Sequence, residues 1–150
     1  MLYNTSRFGQ IEIPDNKILN FPKGIIGFEN EKKFLVLKHK PESSFFWLQS
    51  LETPELAFSL LFPFDFIPLY VPGISSEDLK IIEAKDQTEL EIYCMVVIPK
   101  DPSKLTINLL SPVVINTKNN KGIQSVLLDS QYEVNHRLIP DSESSSKEAV

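Results

Sequence analysis

Val113-Val114-Ile115-Asn116-Thr117, Lys118-Asn119-Asn120-Lys121 and Gly122-Ile123-Gln124-Ser125-Val126-Leu127-Leu128 form the continuous stretch whose reading decides the fold. The outer runs are apolar and β-branched, suited to a pleated, half-buried surface. Between them lie asparagine and, just after, glycine, residues able to supply the positive φ angles that a tight β connection requires. The stretch therefore predicts a β-hairpin. The same texture recurs along the chain in Ile11 to Ile13, Ile18 to Phe21, Phe34 to Leu37, Phe45 to Leu51, Leu56 to Phe62, Leu90 to Ile98 and Leu105 to Leu110. Proline, glycine, Asp and Asn punctuate these runs at the spacing of an all-β barrel or sandwich. Eleven prolines disfavour long helices.

The expected fold is thus all-β, a small antiparallel β-barrel-like or sandwich domain with one or two short helices. One helix is predicted over Ser75 to Ile82, where Ser75 and Asp78 have capping-box spacing and Glu77 and Asp78 suit the positive end of the helix dipole. A second is predicted from Glu29 to Lys33. The proline-broken stretch Phe62 to Pro72 cannot be a central strand and is read as an aromatic-rich loop wrapping the barrel.

At 150 residues the chain suits one core that needs no disulfide or metal. Its hydrophobic share of 42% and charged share of 23% are those of a globular domain. The expected division is a single domain over 1–139 and a flexible polar tail over 140–150, since Asp141-Ser142-Glu143-Ser144-Ser145-Ser146-Lys147-Glu148 has no apolar face to offset the entropy of ordering. The opening residues lack a basic stretch followed by an apolar one. No apolar run approaches the roughly 20 residues needed to cross a bilayer. A cytoplasmic protein without membrane association is therefore expected. The net charge of -5 opposes direct binding of nucleic acid and suits a basic protein partner. Cys94, the single cysteine, lies within the apolar run Ile92 to Ile98 and reads as a core residue.

Catalytic patterns are weak. His39 and His136 stand among lysine or arginine without a second ligand at metal spacing. Ser59 and Ser130 lack a G-x-S-x-G elbow. Glu52 with Glu55, and Glu89 with Glu91, read as solvent-facing charge. Gly24 and Gly27 do not fit a phosphate loop and read as turn residues. Neither a metal nor a cofactor is expected. Phe45-Phe46-Trp47 carries more information, because alternate side chains on a strand must point to opposite faces. If Phe46 and Leu48 point inward, Trp47 and Gln49 point outward and Trp47 is an interface anchor; the opposite arrangement puts Trp47 in the core and Phe46 on the surface.

From Arg7 to Leu138 the chain resembles the FliW family of flagellar assembly factors. The resemblance rests on Arg7-Phe8-Gly9 with Ile11 and Ile13, Phe21-Pro22-Lys23-Gly24-Ile25-Ile26-Gly27-Phe28-Glu29, and Trp47-Leu48-Gln49-Ser50 through Pro54-Glu55-Leu56-Ala57-Phe58. It continues through Pro63-Phe64, Ser76-Glu77-Asp78-Leu79 and Asn108-Leu109-Leu110-Ser111-Pro112-Val113-Val114-Ile115-Asn116. It implies a small cytoplasmic β-barrel-like factor, not an enzyme, that binds flagellin before export. When freed by that export, the factor binds the RNA-binding translational repressor CsrA and relieves repression of flagellin synthesis. On this reading the partner-binding residues are Trp47, Gln49, Glu52, Glu55 and Asp65, the acidic three contributing to a CsrA-facing field. Competing readings are a flagellin export chaperone without a regulatory partner and a small hydrolase using Ser130, Asp129 and His136, against which the sparse histidines argue.

Overall fold

In a computed structural model, which describes residues 1–38, 40–128 and 131–138, seven strands close into a barrel. They are β3 (Leu19–Asn20), β4 (Lys33–Lys38), β5 (Phe45–Ser50), β6 (Ala57–Leu61), β7 (Leu90–Val97), β9 (Val113–Asn116) and β10 (Lys121–Gln124). Closure comes from β9, which pairs with β10 on one side and with residues 90–93 of β7 on the other. The ladders are antiparallel except where β10 meets β3 at Lys121 and Asn20, so the sheet is mixed. A separate hairpin joins β1 (Leu2–Thr5) to β2 (Gly9–Glu12). The short β8 (Thr106–Ile107) and β11 (His136–Arg137) extend the sheet beyond β7.

Alternation on these strands builds two cores. Leu48 of β5, Leu60 of β6, Tyr93 of β7 and Val113 and Ile115 of β9 join Phe21 and Phe34 inside the barrel. Their neighbours Leu61, Ile92, Cys94 and Val114 face out, into a second core with Tyr70, Ile74, Ile82 and Ile107. Cys94 is fully buried there, and burial pushes its thiol up to about 12. It is expected not to react with Ellman's reagent at pH 8 in the native protein and to titrate fully in denaturant; rapid native labelling would show that the second core opens.

The predicted hairpin is present, with Lys121 opposite Asn116. Asn120 has φ 59°, as its turn requires. Gly122 does not have the positive φ expected of it: it sits in β10, where a Cβ would lie 2.5 Å from the Phe21 ring, so its task is to leave room for that ring. The first predicted helix forms as α1 (Ser76–Ile81), with Ser75 Oγ accepting from the Asp78 N–H. The second is a correction. Residues 29–32 form no helix, because the chain has already turned at Gly24, φ +66°, where a Cβ would lie 2.6 Å from the Glu29 carbonyl. Paired hydrogen bonds between Ile25 and Phe28 tighten that turn, and Lys33 then opens β4. The Phe62 to Pro72 loop carries a single 3-10 turn at Pro63–Asp65. Its Phe62 ring meets Tyr93, and Phe64 meets Tyr70. The expected tail over 140–150 lies outside the described residues, as does His39.

Candidate functional site

Phe46 and Leu48 face the barrel interior, the Phe46 ring lying 5.0 Å from that of Tyr93. Trp47 therefore faces outward, half-buried, between Leu37 of β4 and Ser59 of β6. The Arg7 guanidinium carbon sits 3.9 Å from the Trp47 ring centroid, a cation–π contact that holds the end of the β1–β2 hairpin against this wall.

Gln49 shares the outward parity of Trp47 but departs from the expectation of a contact residue. It is fully buried, because the 51–56 turn folds back over it. Its Nε2 donates to the carbonyls of Ser50, Pro54 and Leu56, so the side chain braces that turn and is out of a partner's reach.

The acidic residues divide between two places. Glu52 and Glu55 are exposed in the β5–β6 turn. Glu52 Oε1 accepts from the backbone N–H groups of Lys32 (2.6 Å) and Lys33 (3.2 Å), fastening the start of β4. Beside them, Glu31 accepts from the hydroxyls of Ser50 and Thr53. Asp65 is exposed beyond the other end of β6, accepting from Ser44 Oγ at 2.7 Å. The intervening hairpin has five residue pairs, roughly 15 Å of strand, so Asp65 does not share one patch with Glu52 and Glu55.

An apolar strip was not anticipated from the sequence. Past β10 the chain stays extended, with the Ser125 and Leu127 N–H groups donating to the carbonyls of Pro112 and Leu110. Ile123, Ser125 and Leu127 are buried, whereas Val126 and Leu128 are exposed, Leu128 at 77%. Leu128 lines two adjoining recesses. One, of about 430 Å³, includes Ile26 and Val126 with Glu29, Glu77 and Asp78 at its border. The other, of about 290 Å³, includes Leu69 and Val71. Ile26, Leu69 and Val71 are themselves exposed, so the strip offers aliphatic surface beside carboxylates. The signal was present in the Gly122 to Leu128 run, whose two alternating faces both carry aliphatic residues.

Among the described residues considered for catalysis, His136 and Ser59 lie on different strands. His136 lies on β11 opposite Ile107, Ser59 on β6 opposite Trp47, and Glu89 pairs with Lys118 at 3.0 Å. Asp129 and Ser130 lie outside the described residues. Among the described residues no three His, Cys, Asp or Glu side chains are grouped as a metal ion requires, and no helix is long and apolar enough to cross a membrane.

The family model described as FliW protein matches residues 2–138. A flagellar assembly factor FliW of Heliobacterium modesticaldum is 40% identical over 144 residues, covering 96% of this chain and 94% of that protein. One from Thermotoga maritima is 40% identical over 146 residues, 97% of each. The crystal structure of a flagellar assembly factor FliW superposes with a TM-score of 0.87 at 32% identity, over 94% of this chain and 99% of that one.

Proposed function

The chain belongs to the FliW family, and from that membership we propose that it is a cytoplasmic flagellar assembly factor that works by binding flagellin and CsrA in turn. The observation that carries a binding role is the exposed aliphatic strip at Ile26, Val126, Leu128, Leu69 and Val71. Flagellin takes this strip through apolar contacts. CsrA, a basic RNA-binding protein, meets the acidic end at Glu52 and Glu55, with Trp47 on the adjoining wall as anchor. Asp65, at the other end of the β5–β6 hairpin, adds to the long-range field only.

The two faces adjoin through one segment: Ile26 lies at its tip and Glu52 holds the N–H groups of Lys32 and Lys33. Partners each covering about 800 Å² of this small barrel would collide there. Binding is then mutually exclusive, and export of flagellin frees the factor for CsrA.

The electrostatic part is tested by stopped-flow association with purified CsrA. Reversing Glu52 and Glu55 to lysine is expected to slow association several-fold at low salt and to flatten its salt dependence, because exposed charges are screened beyond a Debye length of about 8 Å. Glu52→Gln keeps the acceptor for the Lys32 N–H and separates charge from local structure. Flagellin binding should change less. An unaltered CsrA association rate in the double reversal at low salt would contradict the assignment.

A further inference from the structure

Among the described residues the two ends of the barrel differ. At one end the 24–29 turn brings Phe28 against Phe58, ring centroids 5.2 Å apart. At the opposite end, where β4 finishes, β5 begins and β9 finishes, the interior opens into a recess of about 600 Å³. Its floor is apolar, from Leu19, Phe46, Tyr93 and Ile115, and its border carries Lys17, Lys38 and Lys118 from three separate elements.

These lysines stand out on a chain of net charge -5. Among the described residues neither Lys17 nor Lys38 has a carboxylate within ion-pair distance; Lys38 Nζ instead donates to the Pro41 carbonyl and lies 5.9 Å over the Phe46 ring. Lys118 pairs with Glu89 but remains exposed. Among the described residues Glu91 is the one carboxylate in the lining, and its Oε1 accepts from the Tyr93 hydroxyl. The recess therefore offers an apolar seat bordered by lysines, in contrast to the aliphatic strip with its neighbouring carboxylates and to the acidic Glu52 end.

We propose that the open barrel mouth binds an acidic peptide segment of a protein partner, seating one aromatic or large aliphatic side chain on Phe46, Tyr93 and Leu19 while flanking carboxylates meet Lys17, Lys38 and Lys118. Barrel mouths are a common place for such concave apolar sites with few polar groups. Separately rooted lysines suit a chain crossing the mouth rather than one compact ion. The net charge of -5 opposes a long polyanion such as a phosphate backbone more than a short segment with a few carboxylates, so single-stranded RNA is the alternative the test must reject.

The test is fluorescence anisotropy with the full chain and a fluorescein-labelled pentapeptide, Glu-Asp-Phe-Asp-Glu. Saturable binding is expected, weakened at least about tenfold by the double reversal Lys17→Glu with Lys38→Glu and by replacing the peptide phenylalanine with alanine. Lys17→Gln with Lys38→Gln, which only neutralises, should fall between. Circular dichroism checks that each variant is folded. Amide shifts in a ¹H–¹⁵N spectrum of the unsubstituted chain should centre on Asn16, Lys38, Thr117 and Asn120. The proposal is overturned by absence of saturation at about 1 mM peptide, the weakest affinity worth calling a site. It is equally overturned by weakening of less than about threefold in the charge reversal, by shifts centred elsewhere, or by tighter binding of a labelled oligouridylate than of the peptide.

Discussion

Phe21→Ala is expected to lower the unfolding free energy by about 3–5 kcal/mol, the range for deleting a fully buried phenylalanine where surrounding structure cannot collapse. Phe21 has no exposed surface and lies inside the barrel, its ring 5.2 Å from that of Phe34 in an edge-on contact. Its other neighbour is the bare Cα of Gly122 on β10. The two positions are complementary, so Gly122→Ala should also destabilise, by about 1–3 kcal/mol through overpacking. Combining Gly122→Ala with Phe21→Leu should cost less than the sum, because the smaller side chain removes the clash. Urea denaturation of the two single variants and the double variant reads this directly. Strict additivity would mean that the ring and the glycine do not bear on each other.

Val126→Asp with Leu128→Asp should weaken flagellin binding by about 2 kcal/mol or more, roughly thirtyfold, because the pair places two carboxylates in the middle of the aliphatic strip. Both side chains are exposed. The melting temperature should therefore stay within a few degrees, since surface changes away from packed features usually move stability by about 0.5 kcal/mol or less. Isothermal titration calorimetry with purified flagellin and a thermal melt of each variant separate the two effects. A large fall in melting temperature with flagellin affinity intact would place these residues in the packing and remove them from the binding face.

Much of this architecture was legible because strand and turn rules are local. The Val113 to Gly122 hairpin and the Ser75 cap of α1 follow from residues within a few positions of one another, whereas the alternation of Phe46, Trp47 and Leu48 leaves either face free to point inward until β4 and β6 flank the strand. What escaped depends on distant chain. Glycine at 122 looked like a turn residue until Phe21, a hundred positions earlier, was seen to occupy the space above it. Gln49 has the parity of a surface residue, but three carbonyls of the neighbouring turn enclose its amide. Glu52, Glu55 and Asp65 read as one acidic region in the sequence and are separated by the length of a hairpin in space. The short strands β1 and β11 lack a signal because Leu2-Tyr3-Asn4-Thr5 and His136-Arg137 contain no apolar β-branched run such as marks β9. The aliphatic strip assembles from segments near 26, 70 and 127 that only the closed barrel brings side by side.

The proposed function is exchange of one protein partner for another on a single small barrel. It is tested most directly by preparing the complex of this chain with fluorescently labelled CsrA and adding purified flagellin while following sedimentation velocity. CsrA is expected to leave the complex as flagellin enters, with the labelled boundary returning to that of free CsrA at saturation. A faster-sedimenting boundary containing all three proteins, or failure of either partner to bind the chain at micromolar concentrations, would contradict it.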